Sequence, residues 1–357
     1  MDYEKFKNAM QFLKIEALEI LETADLMNDT EAQEAILAIQ NAFDEMGVEI
    51  EEVIPDEVVQ SYFKGYEEAA HMMGMEDVIQ AIREDGTVDP RFNRMIHTEA
   101  VEEVTDDILM DLTAAVTLAK ESAAASINTV RNTMKKGISE RLIRGIPKRE
   151  VVRRVQEAFL KEGMTAFYAK DGSRMELDYY ARMVTFTKLS EVENTGHLNR
   201  YDQNDIDLVE IITNDPTCEI CARHRGLVYS RTGKTPGFPI LPEKLIPFHP
   251  HCQCSYAPID TEFMTEDELE ALRERQKHGV YEEDPRSERE KEQYDKFQGI
   301  NRRNNAEKKL YMRMITHLGA DMPLSLPAFR RMKRQNTEKY KELYSNYLSA
   351  THTKAKS

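Results

Sequence analysis

The chain contains 357 residues, of which 31% are charged, and its formal charge at neutral pH is −16. This length predicts two or three domains, and no stretch approaches the roughly 18 uncharged apolar residues that a membrane span requires. Because phosphate binding depends on Lys and Arg, the negative charge argues against a general nucleic-acid coat. The 18 Met, the absence of Trp and the 8% aromatic content favour an adaptable helical core over a β-sandwich.

Charge is distributed unevenly along the sequence. Residues 1–60 contain 16 acidic and 3 basic side chains, whereas residues 301–357 contain 13 basic and 4 acidic ones. The basic tail therefore suits contact with DNA or with an acidic protein surface, and it equally suits a solvated helical face.

Two acidic helices are predicted at the N-terminus. Residues 3–27 place apolar side chains at helical spacing, and a second helix over Glu31–Met46 follows Asp29-Thr30. The stripe of the first helix comprises Phe6, Met10, Leu13, Ala17, Ile20 and Leu21. We expect this acidic helical hairpin to pack inside its own chain, with a subunit contact as the alternative.

Three further helices are predicted before residue 145. One restarts at Ile54-Pro55-Asp56 and should end at the sequence MMGM of residues 72–75. A short helix is predicted over Glu76–Arg83. The longest covers Thr98–Arg144, a stretch without proline, where an interruption is expected near Gly137.

The next predicted elements lead towards the cysteines. The sequence from Gly145 to Pro147 ends one helix and starts another over Lys148–Lys161. Residues 167–177 indicate a short hairpin around an Asp-Gly turn, and Tyr179–Asn199 is helical again. Asp207–Thr213 is the clearest strand in the sequence.

A second strand, Leu227–Ser230, is the predicted partner of the strand at Asp207–Thr213. Together they would form a small sheet of two or three strands. Such a sheet is marginal by itself and would need a metal to hold it against the helices.

All four cysteines of the chain fall between residues 215 and 258. Cys218 and Cys221 form a CxxC pair, and Cys252 and Cys254 form a CxC pair. His249 lies three residues before Cys252 and is a credible replacement for one thiolate. Such ligands suit tetrahedral Zn²⁺, and a surplus of donors favours a closed, structural site.

Three alternatives to a structural zinc are considered. Reduced thiols without a metal and a catalytic metal with an open coordination position both remain open. Two disulfides would need an oxidising compartment, and the N-terminus does not resemble a secretion signal.

The C-terminal third is strongly charged. Thr265 precedes three acidic residues and is expected to cap a helix. The polar stretch Arg273–Lys309 indicates an extended helix or a partly disordered arm. A last amphipathic helix is predicted over Ala328–Leu348, where basic and tyrosine side chains alternate.

The order of motifs around the cysteines resembles that of the phage head-morphogenesis proteins. It consists of the CxxC pair, Gly-Leu-Val-Tyr-Ser at 226–230, a loop rich in Pro and Gly, and HPxCxC followed by Pro258. This group includes the Mu F-like proteins and the phage minor capsid protein 2 family. The resemblance covers roughly residues 137–334, and relatives often carry Arg-Thr where this chain has Thr187-Lys188.

The resemblance implies a structural minor capsid or head-morphogenesis protein of a tailed phage rather than an enzyme. Such a protein would be located in the virion, in the capsid interior or at the portal vertex, in multiple copies. Its expected partners are the portal protein and the major capsid protein, with DNA contact through the basic C-terminal tail. No membrane partner is implied.

Two patterns in the sequence resemble parts of enzymes. The HxE sequence at His97–Glu99 and the PCxxC at the first cysteine pair resemble parts of a zinc deaminase, but about 120 residues separate them. A zinc-supported nuclease or a toxin-like domain is the better alternative, because His224 and His251 lie near the predicted metal. Asp215 is the nearby candidate carboxylate for such a site.

The sequence thus predicts a mainly α protein with a small zinc-stapled α+β module, long helices and an extended charged C-terminal arm. Four segments are expected: an acidic helical region (1–95), a long-helix body (96–204), the cysteine and histidine module (205–260), and the charged helical arm (261–357).

Overall fold

The computed structural model describes residues 13–140, 166–168 and 174–352, apart from short gaps. The gaps are 14–15, 18, 22, 25, 27, 76–79, 84–86, 93–94, 263, 319–320 and 324. The described chain is mainly helical with a small antiparallel sheet, as the sequence predicts. None of the described helices is long and apolar enough to cross a membrane.

Eight helices and five strands are named below. The helices are Asp29–Met72 (α1), Met95–Glu140 (α2), Leu177–Gln203 (α3), Glu219–His224 (α4), Glu266–Gln276 (α5), Glu288–Leu318 (α6), Leu326–Gln335 (α7) and Glu338–His352 (α8). The strands are Ala166–Tyr168 (β1), Arg174–Glu176 (β2), Leu208–Ile212 (β3), Val228–Ser230 (β4) and Ser255–Ile259 (β5).

Helix α1 is one continuous helix with Pro55 inside it, so the prediction of two helices with a restart at Ile54 is wrong. Ile50, Ile54 and Val58 are all buried on the same face, on both sides of the proline. Burying that unbroken face outweighs the backbone hydrogen bond that Pro55 removes. The helix ends before Met73, as the MMGM sequence predicts.

The segment before α1 is helical as predicted, whereas the segment after α1 is not helical at its described end. Every described residue from 13 to 23 is helical, and Leu13, Ala17 and Leu21 are buried in the same core cluster as α1. Phe6 and Met10 lie outside the described residues. The short helix expected after α1 is wrong at its described end, where Ile82 instead pairs with Val88 in an isolated antiparallel bridge.

Helices α1, α2 and α3 form the main hydrophobic core. Helix α2 confirms the predicted long helix and passes through Gly137 without interruption. Helix α3 crosses α1 so closely that the backbone of Gly196 lies against Tyr62, and the backbone of Gly65 lies against Glu193. These two glycines therefore set the distance between the helices.

The hairpin before α3 is confirmed, with Ala166 opposite Glu176 and Phe167 opposite Met175. Its Asp-Gly turn lies outside the described residues, and so do the stop at Gly145–Pro147 and the predicted helix Lys148–Lys161.

The second sheet has three antiparallel strands in the order β4-β3-β5. Leu208 of the central strand is opposite Ser230 of β4, which confirms the predicted partner, and Ile211 is opposite Tyr256 of β5. Helix α5 covers part of this sheet, because Leu269 and Leu272 pack with Leu208 and its neighbours.

The C-terminal helices form a small cluster of their own. The helix predicted over Ala328–Leu348 is wrong, since Asn336 adopts a left-handed conformation (φ 49°) and separates α7 from α8. The turn allows both helices to pack on the end of α6, where Phe329, Leu343 and Tyr311 are buried together. The capping role of Thr265 on α5 is confirmed, because it forms a capping box with Glu268.

Candidate metal centre

The first cysteine pair is positioned by the start of α4, which follows β3 after a short turn. Cys218 is the N-cap residue, and its Sγ accepts a hydrogen bond from the backbone N–H of Cys221 at 3.4 Å. A CxxC sequence at a helix start places both sulfur atoms on the same side of the first turn. Cys221 is buried, and Cys218 is partly exposed.

His249, Cys252 and Cys254, the second half of the cluster, lie in the segment before β5. The Nε2 atom of His249 lies 3.1 Å from the Sγ of Cys218 and 3.1 Å from the Sγ of Cys221. The Sγ of Cys252 lies 3.7 Å from the Sγ of Cys221. Cys254 immediately precedes β5 and is buried.

These five side chains form two groups that share Cys221. In the first, ligand atoms of Cys218, Cys221 and His249 all lie within 4.8 Å of one another, and the second joins Cys221 to Cys252 and Cys254 in the same way. Two thiolates on one tetrahedral ion, with metal–sulfur bonds of about 2.3 Å, stand about 3.8 Å apart. The groups are therefore positioned to bind a metal ion.

The orientation of His249 is set by a second hydrogen bond. Its Nδ1 lies 2.7 Å from the carbonyl oxygen of Pro250. A carbonyl only accepts, so Nδ1 carries the proton and Nε2 is the ligand nitrogen of the neutral ring. Burial alone would lower the pKa of His249, but the Pro250 carbonyl and the sulfur of Cys218 raise it above its usual value.

The thiols divide into two that ionise readily and two that do not. Hydrogen bonding from Cys221 lowers the pKa of Cys218 to about 5 and, together with Cys254, lowers that of Cys252 to about 2. Hydrogen bonds to Cys218 and Cys252 raise the pKa of Cys221. The hydrogen bond between Cys254 and Cys252 contributes to raising the pKa of Cys254. Thiolates are the form that binds metal, so binding would release the remaining protons.

Three residues that the sequence analysis did not identify hold the backbone around this cluster in place. From α3, the Asn194 side chain donates to the Cys254 carbonyl at 3.0 Å, and Tyr201 donates to the Tyr256 carbonyl at 2.9 Å. Arg286 donates to the Thr217 carbonyl at 3.1 Å. No local sequence signal could have found them, because each lies 55 or more residues from its partner.

The residues of the enzymatic alternative are engaged elsewhere. The ring of His224 stacks on Phe248 at 4.0 Å, and its Nδ1 bonds to a main-chain carbonyl. His251 is exposed and packs its ring against Phe186 at 5.9 Å. Among the described residues, neither histidine nor Asp215 belongs to a metal-ligand group.

His97, from the HxE sequence, lies in the helical core rather than in the cysteine module. Its Nδ1 is 2.6 Å from the hydroxyl of Tyr62, and its ring packs among the aromatic side chains of Phe63, Tyr66 and Phe92. It is a structural histidine at the junction of α1 and α2.

Comparison with known proteins identifies the chain at family level. The family model described as phage minor capsid protein 2 matches residues 19–238. The chain belongs to this family. Membership supports a structural protein of the phage virion that contacts other virion proteins. No curated protein and no solved structure matches the chain.

The matched range divides the candidate metal centre. It includes the helical body, the strands β3 and β4, and the cysteine pair Cys218 and Cys221, but it ends before His249, Cys252 and Cys254. The second half of the ligand cluster in this minor capsid protein therefore rests on the geometry alone.

Proposed function

We propose that this minor capsid protein works in head morphogenesis at the portal vertex of a tailed phage, and that one structural zinc ion holds its cysteine module together. The observation that carries the zinc proposal is the position of Cys221, whose sulfur is within ligand distance of both halves of the cluster. Cysteine and histidine donors in a tetrahedral arrangement suit Zn²⁺ better than they suit Mg²⁺ or Ca²⁺.

A structural role for the zinc follows from the number and burial of the donors. Five side chains compete for four positions, whereas a catalytic zinc keeps one position for water or substrate. Cys221, Cys252 and Cys254 are buried. The ion would join the end of β3 to the start of β5, and so would close the loop of about thirty residues between the two cysteine pairs.

The proposed partners are the portal protein and the major capsid protein, with packaged DNA as a further contact. Helix α1 carries twelve acidic side chains and one basic one. Arg331 and Arg334 of α7 are exposed and have no ion-pair partner among the described residues. The acidic end would face protein, because it repels phosphate, and the basic C-terminal helices would face DNA.

Elemental mass spectrometry of reductively purified protein tests the zinc proposal. We expect about one zinc ion per chain, and we expect Cys252→Ser to lose both the ion and the cooperative melting of the sheet. His251→Ala is the matched control, because His251 is adjacent to Cys252 but outside the ligand groups. A stably folded wild-type protein without zinc would overturn the proposal.

Purified portal and major capsid proteins, offered separately to the zinc-loaded chain, test the location. Retention by the portal protein supports placement at the vertex. Retention by the major capsid protein alone, or by neither, would contradict it. A nuclease assay on the same preparation gives the enzymatic alternative its test, since metal-dependent DNA cleavage abolished by a His224 variant would favour an enzyme.

A further inference from the structure

Helix α6 separates its charges along its length. Residues 288–296 contain four acidic and three basic side chains, whereas residues 297–318 contain five basic side chains and one acidic one. The first part is joined to the cysteine module, because Glu290 forms an ion pair with Arg225 at 2.8 Å. The second part packs with α7 and α8 in the C-terminal cluster. The excess of positive charge therefore lies towards the end of α6 that is away from the module.

The acidic residue of the second part, Glu307, is neutralised inside the C-terminal cluster. It forms ion pairs with Lys333 at 2.8 Å and with Arg330 at 3.4 Å. By helical spacing it lies on the same face of α6 as the buried side chains of Tyr311 and Met314. Its negative charge therefore does not offset the cations on the opposite face.

That opposite face carries a row of three cations. Arg302, Lys309 and Arg313 follow one another at intervals of seven and four residues, which places them on one side of the helix. All three are exposed, and none has an ion-pair partner among the described residues. From Arg302 to Arg313 they span about 16 Å of helix at 1.5 Å per residue. We name these three residues the basic row.

We propose that the basic row binds the phosphate backbone of duplex DNA without reading its sequence. This inference rests on the proposed function, since it names the surface through which the basic C-terminal helices would contact packaged DNA. Duplex DNA carries one charge per 1.7 Å or so of its axis, so a row of this length faces about nine phosphates. Asn305 lies beside the row and is exposed, and its amide group is a donor of the kind that contacts phosphate oxygens.

The composition of this face favours DNA over an acidic protein as the partner. Between Arg302 and Lys309 the apolar residue on the face is Ala306. Phe297 and Ile300 are exposed, but by helical spacing they lie on the side of Tyr311. The centre of a protein interface is usually an apolar or aromatic anchor, whereas phosphate contacts need only charge and hydrogen-bond donors.

Fluorescence anisotropy of a labelled duplex of random sequence, titrated with the full, zinc-loaded chain at several salt concentrations, is the test. Each phosphate contact contributes about 0.9 to the slope of log affinity against log salt. A variant that combines Arg302→Gln, Lys309→Gln and Arg313→Gln should therefore bind more weakly at low salt, with a slope less steep by about 2.7. Unlabelled duplexes of different sequence should compete equally with the labelled one.

The matched control combines Arg289→Gln, Lys291→Gln and Lys296→Gln in the first part of the same helix. It removes the same total charge, but Lys291 and Lys296 are already paired with Glu288 and Glu292. The control should keep the salt slope of the wild type. Far-UV circular dichroism and zinc content should be unchanged in both variants.

Three results would overturn the proposal. They are a wild-type chain that does not bind the duplex at about 50 mM salt, an unchanged slope in the row variant, and an equal loss of slope in the control. Self-association at low salt that the row variant abolishes, without DNA binding, would show instead that the row meets the acidic helix α1 of another copy. Retention by the portal protein is measured separately, so its failure would contradict the proposed location and leave the DNA result intact.

Discussion

Replacing Gly196 by alanine tests how the helical body is held together. In an ordinary helix interior this change stabilises a protein by up to about 1 kcal/mol, because alanine has the higher helix propensity. Here a Cβ on Gly196 would lie 2.2 Å from the carbonyl oxygen of Tyr62 and 2.8 Å from the backbone nitrogen of Tyr66. Both contacts are with the backbone of α1, which has no rotamer that could move away.

The magnitude follows from the separation that the new methyl group requires. Carbon and oxygen atoms normally approach no closer than about 3.3 Å, so α1 and α3 would have to move apart by about 1 Å. Overpacking of a close contact costs about 1–3 kcal/mol. The shift would also weaken the hydrogen bond from Asn199 to the Tyr62 hydroxyl, 2.9 Å long. We expect Gly196→Ala to lower the free energy of unfolding by about 3 kcal/mol.

The assay is urea unfolding followed by far-UV circular dichroism, with Gly47→Ala as the matched control. Gly47 lies in α1, and a Cβ there would meet nothing within 4 Å. The control should therefore gain stability while Gly196→Ala loses it. Equal stability of the two variants would refute the view that the glycine contact sets the helix spacing.

Two further predictions concern substitutions near the candidate metal centre. Burial opposes ionisation of Asp207, but hydrogen bonds from Thr232 and neighbouring groups lower its pKa. We therefore expect Asp207→Asn to lower the free energy of unfolding by about 2 kcal/mol. Hydrogen exchange in the loop at 231–235 should become faster, and the zinc content should not change. Hydrogen bonds from Ser287 and Arg225 lower the pKa of Glu290 to about 2. Its contribution to stability should be complete above the unfolded value of about 4.3 and should disappear as the pH falls towards 2. Urea midpoints measured across that pH range check this. The midpoint of the wild type should fall more than the midpoint of Glu290→Gln. An equal fall in the two proteins would show that the carboxylate contributes nothing to stability.

The sequence was most informative where the deciding interactions are local. The strand at Asp207–Thr213, its partner at Leu227–Ser230 and the capping role of Thr265 all depend on residues within a short window, and the structure confirms them. The predicted proximity of the five metal-ligand candidates depends on the same kind of local signal, because short Cys and His spacings already limit how far apart the donors can be.

Predictions failed where distant burial outweighs a local rule. Pro55 marks a helix boundary by its local chemistry, but the continuous buried face from Ile50 to Val58 keeps α1 intact. The amphipathic pattern of Ala328–Leu348 predicts one helix, yet Asn336 ends α7 and two helices pack on α6. Where these helices begin and end depends on which surfaces pack together in the folded chain, and local sequence patterns do not contain that information.

Helix α3 links the two parts of the molecule whose stability the proposals address. Within eight residues it carries Asn194, which bonds to the Cys254 carbonyl, Gly196, which contacts α1, and Tyr201, which bonds to the Tyr256 carbonyl. Disturbance of the helix crossing should therefore reach the candidate metal centre through these bonds. Removal of the proposed metal should act on β5 first, because Cys252 and Cys254 lead directly into it, and should leave the buried faces of α1 and α2 in place. A minor capsid protein built in this way would keep its helical body when the module loses its order.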